Sequence, residues 1–307
     1  MSTPLLLAMT LVLGQADAGY VRTRTPDALH CFHWPVAGSS RTTVIFVQSM
    51  AGDPALGAGA FDAVSRSAQT WQTQLQACGS LDLVEGARSS SRLVGYDDHG
   101  SNENLVLFRT QDCNAVVLPG DPCRATSTCG NAHDCWDHGS DVLALTTVTA
   151  GSADGVVVDA DTEINAVTKH PTLVDSPPCP AGAPSPSCVA NDVQSFDTHE
   201  LGHLLGLAHS PDPASTMYFD IPYGDLSRRT LDPGSRQFVC DVYPAGRPSN
   251  DCSLEGPPGP SSSGCSTTSG AGEVSTGLTA FLTFLVAWRR RSRPRRSPQD
   301  EPTTELP

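Results

Sequence analysis

The stretch His199–His209, which reads HELGHLLGLAH, places three of the chain's nine histidines around one glutamate. On a helix, His199 and His203 are one turn apart, so both rings leave the same face and can bind one metal ion. Glu200 is rotated by about 100° from its neighbour around the axis, and its longer side chain can reach a water molecule on that ion. The spacing therefore predicts a metal-binding helix whose glutamate assists hydrolysis.

The third histidine, His209, would be out of reach on a continued helix, because it would lie about 9 Å further along the axis. Gly206 removes this difficulty, since glycine tolerates the left-handed conformation that ends helices and lets the chain turn back. Three neutral imidazoles leave a fourth coordination position open for water, which is typical of catalytic zinc. We therefore expect zinc on His199, His203 and His209, with Glu200 as the catalytic residue.

The start of the chain has the composition of a processing segment. Residues 1–18 contain a short apolar run and end in Ala16-Asp17-Ala18, which has the small-x-small form of a signal-peptidase site. No Lys or Arg precedes the run, and a buried N-terminal strand is the alternative. We expect a signal peptide over 1–18 and one domain over 19–252.

The end of the chain changes composition three times after that domain. A Gly/Ser/Pro-rich linker, 253–273, leads to an apolar run, 274–288, and to an arginine-rich tail, 289–307. The run is short for a bilayer span, which needs about 20 residues, but it predicts a membrane segment whose positive side stays cytoplasmic. A soluble amphipathic helix is the alternative. Because the tail is basic, the rest of the chain is more acidic than the net charge of −14, which argues against nucleic acid as a partner.

The cysteine content indicates an oxidising compartment. Of eleven cysteines, Cys265 lies in the linker, and the others are enough for five disulfide bonds. Cys179–Cys188 and Cys240–Cys252 are the expected local pairs, and the cysteines from Cys113 to Cys135 are expected to pair among themselves. A zinc knuckle is the alternative for that cluster, although it lacks paired C-x-x-C units.

Hydrophobic patterns before the metal-binding helix predict several strands and one long helix. The helix has apolar residues at helical spacing from Phe61 to Leu75 and is closed by Gly79, and Asp192 is expected to cap the metal-binding helix. A Cys- and Pro-rich insertion, 112–140, interrupts the strands. The expected strands are 42–49, 81–87, 103–109, 141–149 and 155–165.

HELGHLLGLAH resembles the H-E-x-x-H-x-x-G-x-x-H pattern of the metzincin metalloproteases, and Ser215-Thr216-Met217-Tyr218 resembles their methionine turn. The similarity is greatest to the matrixin-like branch. It implies an α+β fold in which a twisted, mixed five-stranded sheet packs with about three helices, one of them near Pro233–Val242, and is stabilised by disulfides. It also implies that Met217 lies beneath the zinc, that Tyr218 shapes the pocket wall, and that a substrate extends along 141–149.

Some features depart from that family or leave alternatives open. Phe219 occupies the position where some metzincins have a tyrosine ligand. Cys31 is expected in an ordinary disulfide, with an inhibitory thiol as the alternative. His133, Asp134 and His138 are more typical of a polar loop than of a second metal site. The carboxylates of Asp159, Asp161 and Glu163 share one strand face and make calcium a candidate cofactor, although an exposed acidic face is the simpler interpretation.

The C-terminal region carries a second resemblance. Cys265 in a Gly/Ser-rich linker, followed by a short apolar run and an arginine cluster, is similar to the sorting signals of myxobacterial surface proteins. That resemblance implies that Cys265 is a processing or lipidation point and that the protein reaches the cell envelope or surface, or is released from it.

The sequence thus predicts an exported zinc endopeptidase that acts on proteins or peptides. Two alternatives remain, a catalytically silent zinc-binding surface module and a zinc amidohydrolase acting on a non-peptide substrate. The intact Glu200 argues against the first, because a silent module has no need of a base. A strand suited to extended chains argues against the second.

Overall fold

The computed structural model describes residues 19–251, except 39 and 181, and the backbone of 281–289. The strands are β1 (Thr42–Gln48), β2 (Leu81–Glu85), β3 (Asn104–Arg109), β4 (Val142–Gly151), β5 (Val157–Asn165), β6 (Pro171–Thr172), β7 (Asn191–Asp192) and β8 (Phe281–Arg289). The main sheet has the order β2-β1-β3-β5-β4-β8, and β6 and β7 form a separate parallel pair. The first four strands in that order are parallel, whereas β4 is antiparallel to both of its neighbours.

The predicted α+β class is confirmed. Strands β1 to β5 form the expected mixed five-stranded sheet, and three longer helices pack with it. Three short helices lie in the Cys-rich insertion. The helices are α1 (Ala58–Cys78), α2 (Cys113–Val116), α3 (Cys123–Thr126), α4 (Cys129–His133), α5 (Val193–Leu204) and α6 (Pro233–Val242).

Helix α1 links the sheet to α5 through its apolar face. Val64, Trp71 and Leu75 follow one another at helical spacing and are fully buried. Burial of an indole such as that of Trp71 contributes about 4–6 kcal/mol to folding. The Trp71 Nε1–H also donates a hydrogen bond to the Thr198 carbonyl at 2.8 Å. The helix that carries the candidate metal ligands is therefore fixed against the core by packing and by a directed bond.

The segment 20–34, here called the N-terminal strap, crosses the end of α5 and the turn between β4 and β5. Arg22 forms an antiparallel bridge with Leu207, and His33 forms a parallel bridge with Val156. Near its C-terminal end, Cys31 is disulfide-bonded, and its partner lies outside the described residues. The strap was not expected from the sequence, because its contacts join parts of the chain that are far apart in sequence.

Four disulfides lie within the described residues. Cys179–Cys188, Cys113–Cys135 and Cys123–Cys129 confirm the local pair and the pairing inside the insertion, and they exclude the zinc knuckle. The expected Cys240–Cys252 pair is wrong, because Cys240 bonds to Cys78. These two lie on α6 and at the end of α1, which pack side by side and bring their Cα atoms to 5.2 Å across a sequence separation of 162. The disulfide at Cys31 also excludes an inhibitory free thiol there.

A buried ionic network joins the insertion to the sheet. The Arg109 side chain is fully buried, and its guanidinium donates to Glu163 at 2.7 Å and to Asp134 at 2.8 Å. His138 contacts the other oxygen of Glu163 at 3.2 Å. These charge-assisted contacts satisfy the carboxylate of Glu163, which would otherwise be buried without a cation, whereas the Asp134 carboxylate is partly exposed.

The contacts of this network bear on the two additional metal sites that the sequence left open. The favoured polar loop at His133, Asp134 and His138 agrees with the contacts, because His133 pairs with Asp121, Asp134 with Arg109 and His138 with Glu163, and the three do not converge within the described residues. Calcium at Asp159, Asp161 and Glu163 stays a prediction that the contacts disfavour. Glu163 already binds Arg109, and both Asp161 oxygens accept backbone N–H groups, from Gly95 and Leu105.

The C-terminal apolar run is a strand where it is described. β8 pairs with β4 from Gly151 back to Val142, whereas 274–280 of the expected membrane segment lie outside the described residues. Among the helices of the described part, none is long and apolar enough to cross a bilayer. A short run of Leu, Phe, Val and Ala fits a strand as well as a span, so periodicity does not distinguish them. The regions 1–18 and 253–273 also lie outside the described residues and stay predictions.

Candidate metal centre

Helix α5 presents two of the three histidines and the glutamate. Asp192 caps its N-terminus, as expected, by accepting a hydrogen bond from the Ser195 N–H at 2.8 Å. The helix then runs beneath β4, so that His199, Glu200 and His203 are almost completely enclosed. The cap fixes where the helix begins, and His199 and His203 point in the same direction because about one helical turn separates them.

Helix α5 ends at Leu204, before the third histidine, so the chain can turn back towards the metal centre. Gly206 has a φ of +105°, a conformation that favours glycine, and the chain turns there. A Cβ atom on Gly206 would lie 2.4 Å from the Phe32 carbonyl oxygen of the strap. Glycine is therefore needed both for the backbone conformation and for the close approach. The turn returns His209 to the two helical histidines.

The three imidazoles meet through their Nε2 atoms. The His203 Nε2 lies 3.1 Å from that of His199 and 3.3 Å from that of His209. The Nδ1 atoms of the helical pair face backbone carbonyls, Thr216 O at 2.8 Å for His199 and Leu207 O at 2.7 Å for His203. Nδ1–H donation to a carbonyl leaves Nε2 as the lone-pair donor, which is the arrangement of a metal ligand with an outer-shell partner.

Burial keeps these rings neutral. It lowers the pKa of His203 to about 3 and the pKa of His209 to about 4, and it lowers the pKa of His199 as well. The neighbouring imidazoles act in the same direction at His199 and His203, since a second positive charge so close is unfavourable. At neutral pH all three Nε2 atoms are thus available to a cation without loss of a proton.

Glu200 lies beside this cluster in an apolar setting. Burial raises the pKa of its carboxyl to about 8. Its Oε2 accepts a hydrogen bond from the Thr146 hydroxyl of β4 at 2.6 Å, while Oε1 is buried and has no partner among the described residues. A buried carboxylate oxygen without a protein donor is costly, and it suits a group that faces a metal and its water.

The segment Ser215–Tyr218, which resembles a methionine turn, packs against α5. Met217 is buried, and a Cβ atom added to Gly202 would lie 2.4 Å from its sulfur, so helix and turn are in close contact. Tyr218 is half-buried and stacks on Phe219 with ring centroids 4.6 Å apart. Phe219 in turn lies 6.5 Å from the His209 ring. The role of Tyr218 in the pocket wall stays a prediction, and Cys265 lies outside the described residues.

The donor set fits zinc. Three neutral imidazole nitrogens that lie within 4.8 Å of one another are a common protein ligand set for a catalytic zinc ion, which keeps one position for water. The unpartnered Oε1 of Glu200 is the group such a water needs beside it. Another cluster among the described residues, Asp121, Cys123 and His133, is not equivalent, because Cys123 is in a disulfide.

Sequence reasoning missed several residues around the centre. Thr146 lies in a predicted strand, and its alternation with the buried Ala144 and Val148 places it on the face towards α5, but no sequence pattern pairs it with Glu200. Thr216 and Leu207 act through backbone carbonyls, which no side-chain pattern reveals. Asp197 is also fully buried on α5, and burial raises the pKa of its carboxyl to about 8.

The fold and the histidine cluster are similar to those of the metzincin class of zinc metalloproteases. More specifically, the model of the family described as Matrixin matches residues 117–243, which include all three histidines. The matrilysin of Felis catus is 46% identical to the chain over 46 residues, which make up 15% of this chain and 18% of that protein. Both findings support a matrixin-like protease, while the alignment with matrilysin spans under a fifth of its length.

Proposed function

We propose that the protein is an exported, zinc-dependent endopeptidase. The observation that carries the proposal is the convergence of three neutral Nε2 atoms, 3.1 and 3.3 Å apart, next to the buried and half-partnered carboxylate of Glu200. A structural metal site has no use for such a carboxylate, because it closes its coordination with protein ligands.

His199, His203 and His209 would hold the zinc, which when bound supplies Lewis-acid polarisation of the substrate carbonyl and lowers the pKa of water. Glu200 takes a proton from the attacking water and delivers it to the leaving amine. The Thr146 hydroxyl, 2.6 Å from Oε2, holds the carboxylate in one orientation and leaves Oε1 to carry the proton. The apolar enclosure raises the pKa of Glu200, which favours uptake of the proton, and a bound zinc cation would oppose this shift, so that the carboxyl can serve first as base and then as proton donor.

An extended peptide is the favoured substrate. β4 borders the five-stranded sheet directly above α5, and β8 pairs with it antiparallel from Gly151 to Val142. The pairing supports the proposal because the edge accepts an added strand through main-chain bonds, the mode by which sheets bind peptides. A substrate would replace β8 along β4.

The test is digestion of casein by the purified full chain. Cleavage is expected, should stop when a chelator removes the metal, and should return when zinc is added. Zinc binding without cleavage of any protein or peptide would favour a silent surface module. Hydrolysis of small amides with no peptide cleavage would favour an amidohydrolase. Cleavage that persists after complete zinc removal would contradict the proposal.

Export is the second part of the proposal. It is supported by four disulfides within the described residues and by the disulfide-bonded Cys31, since such bonds persist in oxidising compartments. We propose a signal peptide over 1–18, and sorting through Cys265 and the C-terminal tail to the cell envelope, with membrane contact through 274–288.

Removal of the signal peptide is expected to leave Gly19 as the first residue of the mature protein. N-terminal sequencing of protein taken from the envelope fraction, with the cytosolic fraction as control, checks this. Mature protein that still begins at Met1, found only in the cytosol, would contradict export.

A further inference from the structure

The loop between α5 and His209 is held by backbone hydrogen bonds from the N-terminal strap. The Thr23 N–H donates to the Gly206 carbonyl at 2.9 Å, and the Ala208 N–H donates to the Val21 carbonyl at 2.9 Å. These two bonds bracket the antiparallel bridge at Leu207. The residue immediately before the third histidine is thus bonded to the strap and not to α5.

A side chain of the strap reaches an outer-shell partner of a second ligand. The Thr23 hydroxyl donates to the Leu207 carbonyl at 3.1 Å, and the same carbonyl accepts from His203 Nδ1 at 2.7 Å. One oxygen therefore fixes the helical ligand and the loop of the third ligand together. Outer-shell acceptors of this kind set the orientation and basicity of metal-bound histidines.

The strap also closes the C-terminal end of α5. The Trp34 Nε1–H donates to the Leu204 carbonyl at 2.9 Å, which satisfies one of the acceptors that a helix end leaves free. The Phe32 carbonyl approaches Gly206 so closely that no side chain fits there. The exit direction of the chain from α5 is thus set by strap atoms.

The strap is itself anchored at a distance from the site. Its Cys31 N–H donates to the Asp251 carbonyl at 3.2 Å, and His30 Nδ1 lies 2.7 Å from the Asp251 carboxylate. His33 exchanges backbone bonds with the turn at Gly155 and Val157. With the disulfide at Cys31, these contacts make the strap a fixed support for the loop.

The third histidine depends on this support more than the other two. The rings of His199 and His203 are oriented by carbonyls at their Nδ1 atoms, whereas among the described residues His209 Nδ1 has no protein acceptor. The placement of its ring therefore follows from the placement of its backbone.

We propose that the N-terminal strap positions His209 for metal binding, with Thr23 and Trp34 as the positioning residues. The inference rests on the proposed function only for the identity of the metal. Neither side chain touches the ligand nitrogens. Thr23 acts on the Leu207 carbonyl of the segment that joins α5 to the third ligand, and Trp34 acts on the carbonyl of Leu204, the last residue of α5.

The experiment measures metal binding by the full chain, not turnover. The variants are Thr23→Val, which keeps the side-chain shape, and Trp34→Phe. Zinc affinity is obtained by competition with a chelator, and the visible absorption spectrum of the Co²⁺-substituted protein reports ligand geometry. Loss of one hydrogen bond to the ligand segment is expected to weaken zinc binding about 3- to 10-fold in each variant and to change the Co²⁺ spectrum.

Two control variants lose the same kinds of bond away from the metal centre. The Thr42 hydroxyl donates to the Pro35 carbonyl at 3.0 Å, and the Trp136 indole donates to the Gly139 carbonyl at 3.2 Å. Thr42→Val and Trp136→Phe are expected to keep the zinc affinity and Co²⁺ spectrum of the unchanged protein.

The inference is overturned if Thr23→Val binds zinc with unchanged affinity and spectrum, or if the controls weaken binding as much as the strap variants. If Trp34→Phe fails to fold, the isosteric Thr23→Val still decides the matter. A protein that binds zinc but cleaves no peptide would refute the proposed function while leaving this test intact.

Discussion

Glu200→Gln is expected to lower kcat/KM for peptide cleavage by about 10²–10⁴-fold, the usual contribution of a general base and acid. Glutamine keeps the shape and can still accept the Thr146 hydrogen bond, but it cannot take a proton from water. Because the three imidazoles already form the metal site without this carboxylate, zinc content should stay at one ion per chain. The measurement combines peptide kinetics with metal analysis of the same preparation.

The matched control is Asp197→Asn, an equivalent change of a buried carboxyl one turn earlier on the same helix. Asparagine keeps the shape of this buried side chain, and Asp197 does not belong to the histidine cluster, so the change leaves the metal ligands and Glu200 in place. Cleavage by this variant should stay within a few-fold of the unchanged protein. Retention of more than a tenth of the activity in Glu200→Gln would remove Glu200 from the mechanism.

Local patterns in the sequence were sufficient to predict the strands and the helix that position the metal centre. Each expected strand overlaps one of β1 to β5, whereas the helix at Pro233–Val242 was implied by the resemblance to the matrixin-like proteases and not by a local pattern. The Asp192 cap and the turn at Gly206 also agree with expectation. These features follow from side-chain periodicity, capping chemistry and the conformational freedom of glycine, all of which act over a few residues.

What the sequence did not reveal depends on contacts between distant segments. Cys240 was assigned to its neighbour in sequence, but the packing of α6 on α1 brings it to Cys78. Thr146 reaches Glu200 because of the register between β4 and β5, and the strap reaches Gly206 across most of the chain. The apolar run at the C-terminus was ambiguous for a different reason, because its composition fits a strand and a membrane segment alike.

Gly206→Ala is expected to weaken zinc binding about 10- to 100-fold and to lower the free energy of unfolding by at least about 2 kcal/mol. Two effects combine at this residue. The φ of +105° is unfavourable for alanine, and the new Cβ would lie 2.4 Å from the Phe32 carbonyl, a backbone atom that cannot rotate away. The strap and the loop must separate, and His209 moves with the loop. Chelator competition and chemical denaturation measure the two quantities.

Gly246→Ala separates these two effects, because Gly246 also has a positive φ, +71°, yet a Cβ atom there would have nothing within 4 Å. It should show only the conformational cost of about 1–2 kcal/mol and unchanged zinc affinity. A difference between the two variants in zinc affinity then measures what the contact between strap and loop contributes to the placement of His209. Equal zinc affinity in both variants would mean that the turn tolerates displacement from the strap. The contact between strap and loop would then not determine the position of His209.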